Sequence, residues 1–87
     1  MGGLSSLSRK KITVCVEHPA TKKTHQETVP GDLTVWELKK KISKIFKIQA
    51  ENQILAADQG RIMANDKTLA DYDMKDGSTI IMMQGLP

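Results

Sequence analysis

The sequence predicts a small α+β domain in which several short strands surround one helix, and three observations carry that expectation. Residues 11–17 alternate apolar and polar side chains, the period of a half-buried strand. Thr34-Val35-Trp36-Glu37 reads as a capping box opening a single amphipathic helix. Asp76-Gly77 is a turn signal followed at once by the apolar run Thr79-Ile80-Ile81-Met82-Met83, which reads as a closing strand. With 87 residues the chain supports one core, because a chain of this size buries only about 60 to 65% of its unfolded surface.

Residues 1–10 are rich in Gly and Ser with isolated leucines and end in a basic cluster. They are expected to form a flexible basic tail, since they cannot bury enough apolar surface to offset ordering entropy. The domain is placed at residues 11–87. Its first strand puts Ile12, Val14 and Val16 on one face and Thr13, Cys15 and Glu17 on the other. His18 to Lys23, with Pro19, turns the chain into a second strand at 24–29 that is unusually polar through His25, Gln26 and Glu27. After Pro30-Gly31-Asp32 the helix begins. Val35, Leu38, Ile42 and either Ile45 or Phe46 form its apolar stripe, while Lys40, Lys44 and Lys47 project elsewhere and Glu37 stands one turn before Lys41. Residues 48–52 form the exit loop and 53–57 a third strand; Asp58-Gln59-Gly60 turns into a short fourth strand at 61–63. Thr68 caps a single helical turn through Tyr72, and a last strand runs over 78–84.

Charge is unevenly placed. Residues 1–50 carry ten Lys/Arg against four Asp/Glu, a net of +6, and residues 51–87 carry three against six, a net of −3, which together give the overall +3. Such polarity favours steering toward an acidic face, although a lysine-rich helix face is also the ordinary dress of a solvated helix. No stretch approaches the roughly 18 apolar residues of a membrane-spanning helix. One cysteine cannot form an internal disulfide, and a reducing cytoplasmic or nuclear setting is expected. There is no phosphate-binding Gly-rich loop, no Ser/His/Asp arrangement and no carboxylate pair at catalytic spacing. No catalytic residue is therefore named, and an enzyme is not expected.

Two separated stretches carry a family resemblance: Asp32-Leu33-Thr34-Val35-Trp36-Glu37-Leu38-Lys39 at the helix start, and Lys67-Thr68-Leu69-Ala70-Asp71-Tyr72-Asp73-Met74 followed by Asp76-Gly77-Ser78-Thr79-Ile80. Both resemble the ubiquitin-like, β-grasp family, and the element order matches over residues 11–84. The resemblance implies a mixed sheet of four to five strands packed on one central helix. It places Ile12, Val14, Val35, Leu38, Ile42, Leu55, Leu69 and Ile80 in the core. Family members that modify other proteins end in Gly-Gly, whereas this sequence ends Gly85-Leu86-Pro87. The expectation is a non-conjugated monomer that acts by being bound.

By the same resemblance, the partner-binding surface falls on Ile54, Ala56, Arg61, Ile81 and Met83, with Pro19 or Ala20 from the first hairpin. A larger apolar residue is usual where Ala56 stands. The implied partners are proteins of the ubiquitin system: a ubiquitin receptor, a proteasome subunit or a ligase component. Val35 to Lys40 and Asp58 to Leu69 also resemble an elongin-B-like constitutive adaptor. Trp36, Lys40, Lys44 and Lys47 are candidate secondary contacts; nucleic-acid binding through those lysines lacks an aromatic stacking platform and is not expected. Met1-Gly2-Gly3-Leu4-Ser5-Ser6 fits the N-myristoylation pattern, with Gly2 as acceptor and Arg9-Lys10-Lys11 as basic support, so membrane contact is expected only if Gly2 is acylated. Cys15, His18 and His25 lack the spacing of a zinc site, and neither metal nor cofactor is expected.

Overall fold

The computed structural model describes residues 10–85. Gly2 and the tail assigned to residues 1–10 thus lie, but for Lys10, outside the described residues.

Strand β1 (Lys11–His18) turns through residues 19–22 into β2 (Lys23–Pro30), one residue longer at each end than the sequence suggests. The helix α1 (Val35–Phe46) follows, then β3 (Gln53–Ala56) and β4 (Thr79–Gln84). The strands form one sheet in the order β2-β1-β4-β3. It is mixed: β1 runs parallel to β4, and the two outer pairs are antiparallel. The expected fourth strand at 61–63 reduces to an isolated bridge, Ile62 to Ala56. The chain reverses tightly through Gln59 and Gly60, both at positive φ. It then leaves the sheet at Ala64, whose N–H is held by the Tyr72 hydroxyl at 2.7 Å.

α1 begins where its local chemistry dictates. The Thr34 hydroxyl accepts from the Glu37 N–H at 3.1 Å and the Glu37 carboxylate accepts from the Thr34 N–H at 3.0 Å. The Glu37 carboxylate is committed to the cap and forms no ion pair with Lys41 one turn on; among the described residues the one contact of this kind is His25 Nε2 to Glu27 Oε1 at 2.7 Å, an ion pair only when the imidazole is protonated. At the far end Lys47 terminates the helix in the left-handed conformation. The same reciprocal device recurs between Thr68 and Asp71, where the chain enters the 3-10 turn Ala70–Tyr72.

Both carboxylates are held below the usual range, first by the hydrogen bond from the backbone of their cap residue and then by its hydroxyl. A lowered folded pKa means that this stabilisation is present above the unfolded carboxylate value and is lost as pH falls through the folded one. Thr34→Ala is expected to cost about 1 kcal/mol at neutral pH. It should also make unfolding less sensitive to acid than in the wild type, as read by denaturant melts at pH 7 and pH 3.

The core lies between α1 and one face of the sheet. Val14, Val16, Val35, Leu38, Ile42, Leu55, Leu69, Ile80 and Met82 are fully buried there, and Ile12 sits at its edge. Every core residue expected from the sequence is in place, and Phe46 rather than Ile45 completes the helix stripe. Gly77, at φ 92°, makes the turn into β4, and its N–H is bonded to the Thr13 carbonyl. Asp76 Oδ1 accepts from the Thr13 N–H at 2.7 Å, so the Asp-Gly signal joins β4 to β1 as well as turning the chain.

Three polar residues, His18, Lys39 and Gln53, are buried without a sign of it in the sequence, and Lys39 carries the clearest consequence. Lys39 is 7% exposed, and its ammonium donates to Asn65 Oδ1 at 2.7 Å. Burial holds its pKa below the usual lysine value. The unfolded chain therefore binds more protons than the folded one as pH approaches the ordinary lysine range, and stability there rises with pH. Denaturant melts at pH 7 and pH 10 should show the wild type gaining on Lys39→Met as pH increases.

Candidate interaction surface

Alternation in β3 and β4 decides which side chains face away from α1. Leu55, Ile80 and Met82 point into the core, so Ile54, Ala56, Ile81 and Met83 point to the opposite face. Across the strands, Ile54 pairs with Met83 and Ala56 with Ile81, while the bridge from Ala56 adds Ile62 to the second row. Residues opposite one another share a face, so Ile62, Ala56 and Ile81 form one row and Ile54 and Met83 the next. Ile62 is 60% exposed and Met83 40%, the two exposed large apolar side chains among the described residues. Ile54 and Ile81 are half-buried.

Ala56 departs from its expected role. It is 4% exposed, lying between Ile62 and Ile81 in the row, so it offers a partner almost no area of its own. Beside Met83, the β1–β2 turn and the end of β4 enclose an open cleft of about 470 Å³ lined by Pro19, Ala20 and Thr21. The hairpin loop and the last strand thus form a continuous apolar area. Gly85 extends it over Ile54: a Cβ on Gly85 would stand 3.4 Å from the Ile54 Cδ1.

Arg61 is exposed beside this face. Its guanidinium donates to the Tyr72 carbonyl at 3.2 Å and lies 5.7 Å from the centre of the Tyr72 ring, which commits it to the loop. The next residue, Ile62, is exposed as well and adds apolar area to the face. Sequence reasoning passed over Ile62, although a signal existed: once Met63 is assigned to the core, alternation turns Ile62 outward.

The helix residues form a separate surface. Trp36 is half-buried in the first turn of α1, and Lys40, Lys44 and Lys47 are exposed. Since α1 covers the inner side of the sheet, these lysines stand across the sheet from Ile62 and Met83 and do not border the apolar face. His18 and His25 both lie edge-on to Phe46, with ring centroids 6.0 and 6.5 Å away, whereas Cys15 belongs to the outer face. Among the described residues no group of three or more His, Cys, Asp or Glu could hold a metal ion, and no helix is long and apolar enough to cross a membrane.

One helix held on a four-stranded mixed sheet, with no second α-helix among the described residues on the other sheet face, defines a β-grasp domain. The ubiquitin family profile matches residues 12–87. The chain belongs to the ubiquitin family. Among solved structures it is similar to the ubiquitin-like domain of Plasmodium falciparum Dsk2, at 25% identity and a TM-score of 0.80, covering 86% of this chain and 99% of that one. It is also similar to a ubiquitin-like domain from Arabidopsis thaliana, at 26% identity and a TM-score of 0.78, covering 88% of this chain and 80% of that one. The N-terminal ubiquitin-like domain of the 4931431F19Rik protein aligns at 26% identity and a TM-score of 0.79, over 92% of this chain and 80% of that one. No curated protein matches the sequence.

Proposed function

We propose that this domain is a docking module, bound through its outer sheet face by proteins of the ubiquitin–proteasome system. The observation that carries the reading is that Ile62 and Met83 are both exposed on the sheet face opposite the helix, together with half-buried Ile54 and Ile81. Apolar side chains gathered in this way on a small domain mark a contact surface more often than isolated ones do. Likeness to ubiquitin-like domains, the Dsk2 domain among them, supports the choice of partner class. The domain acts by being bound: its apolar face lends area to a partner, with Ile62 and Met83 the large apolar side chains most open to it.

Affinity capture from lysate with wild type and with Ile62→Asp/Met83→Asp tests the reading. Proteasome subunits or ubiquitin receptors should be recovered by the wild type and lost with the double variant. Equal recovery by both, or recovery of no such protein by either, contradicts it.

A further inference from the structure

Four methionines fall among the described residues, Met1 lying outside them, and three of the four are sealed: Met63 is 2% exposed, Met74 7% and Met82 0%. Met83 is 40% exposed. The contrast is sharpest within β4, where strand alternation turns Met82 into the core and its neighbour Met83 onto the opposite face. Two thioethers of the same intrinsic chemistry, adjacent in the chain, thus differ in whether small solutes reach the side chain.

Met83 also occupies a joint in the apolar face. It pairs across the sheet with Ile54, and it borders the open cleft lined by Pro19, Ala20 and Thr21. Of the two large apolar side chains exposed on that face, Ile62 carries no atom that a mild oxidant attacks, whereas Met83 carries a thioether. Oxidation turns this flexible apolar side chain into a polar one. Among the described residues lining the cleft none is Lys or Arg, so no fixed cation is in place to offset the cost of covering an S–O oxygen with a partner.

We propose that Met83 is a peroxide-sensitive modification site, and that its conversion to the sulfoxide releases partners from the outer sheet face. The release rests on the docking role proposed above. In the step, a lone pair of the Met83 sulfur attacks one oxygen of hydrogen peroxide: an S–O bond forms and the O–O bond breaks. The departing hydroxide takes the proton of the transferred oxygen and leaves as water. Sulfur loses two electrons and the peroxide gains them. Thiol-dependent reductases, one for each sulfur epimer, reverse the change, removing the oxygen as water while two thiols become one disulfide. Both directions need an accessible side chain, which Met83 alone offers among the described methionines.

The experiment treats the full chain with hydrogen peroxide, removes the oxidant, maps each methionine by peptide fragmentation and titrates the product with a recombinant proteasomal ubiquitin receptor. Met83 should be converted roughly tenfold faster than Met63, Met74 and Met82. Chain oxidised at Met83 should bind the receptor roughly tenfold more weakly, as expected for covering one unpaired polar group. Its Tm should move by less than about 4 °C; a larger fall overturns release at the face, because unfolding then explains the loss. Sulfoxide reductases for both epimers, with dithiothreitol, should restore binding. Met83→Leu, whatever its starting affinity, should lose nothing further on peroxide treatment, and a loss that persists in this variant overturns the proposal by placing the effect on another residue. Conversion of Met63, Met74 or Met82 as fast as Met83, or unchanged affinity with Met83 fully converted, overturns it while leaving the docking role intact. If the untreated chain fails to bind the receptor, the docking role falls and the release falls with it, while the order of conversion still decides the modification site.

Discussion

Replacing Ile62 and Met83 together by aspartate is expected to weaken partner binding roughly a hundredfold while leaving the domain folded. The two side chains are 60% and 40% exposed, so about half of each is free to be covered by a partner. Full burial of such a side chain is worth about 1.5 to 3 kcal/mol, and half of that from each gives about 2 kcal/mol. Desolvating a carboxylate in an apolar contact adds at least about 1 kcal/mol, and each 1.4 kcal/mol is about a factor of ten in affinity. Stability should hardly change, because exposed substitutions usually stay within about 0.5 kcal/mol. Ile81→Asp is a poorer probe: Ile81 is half-buried between Ala56 and Glu17 in the sheet, and a second carboxylate beside Glu17 would disturb the fold as well as the contact. Calorimetric titration with the recovered partner and a thermal melt of each variant separate the two effects.

Leu38→Ala should act in the opposite way, on stability first. Leu38 is 0% exposed at the middle of the α1 stripe, within the single cluster formed with the inner faces of β1, β3 and β4. Truncating a leucine in such a place costs about 2 to 5 kcal/mol, the transfer term plus the cavity left behind. A domain of this size holds about 5 to 15 kcal/mol in total, and each kcal/mol lowers Tm by roughly 4 to 8 °C. A fall in Tm of at least about 8 °C is therefore expected. Ile45→Ala, on the rim of the same helix and only half-buried, should cost clearly less. Denaturant melts of the two variants make the comparison, and similar losses would contradict the assigned helix face.

The parts of the fold that were legible in the sequence are those where local chemistry and tertiary packing agree. Thr34 and Glu37 mark the start of α1 because a capping box satisfies free N–H groups whatever the helix later packs against. Asp76-Gly77 marks the start of β4 because the turn needs a positive φ, which glycine supplies. The alternation of β1 gives its inner face directly.

What escaped the sequence depends on distant neighbours. In β2 the polar His25 and Glu27 face the helix side, an arrangement acceptable because they line an open cleft and bond to each other, while Val29 alone is buried. Ala56 is buried by Ile62 and Ile81, residues that reach it only once the loop has folded back. Ile62 is turned outward only relative to a buried Met63, and in a stretch as short as 61–63 that burial comes from tertiary packing and not from the period of the residues alone. Lys39 gave no warning of burial, since its partner Asn65 lies 26 residues away.

The central claim is that the sheet face opposite α1 is the surface partners recognise. Its most direct test is methyl NMR of the chain labelled at isoleucine and methionine, titrated with a recombinant proteasomal ubiquitin receptor. Selective broadening of the Ile54, Ile62, Ile81 and Met83 methyls, with Ile42, Ile80 and Met82 spared, is the expected result. Broadening centred on Ile45 beside the helix lysines, or no change at saturating receptor, would contradict it.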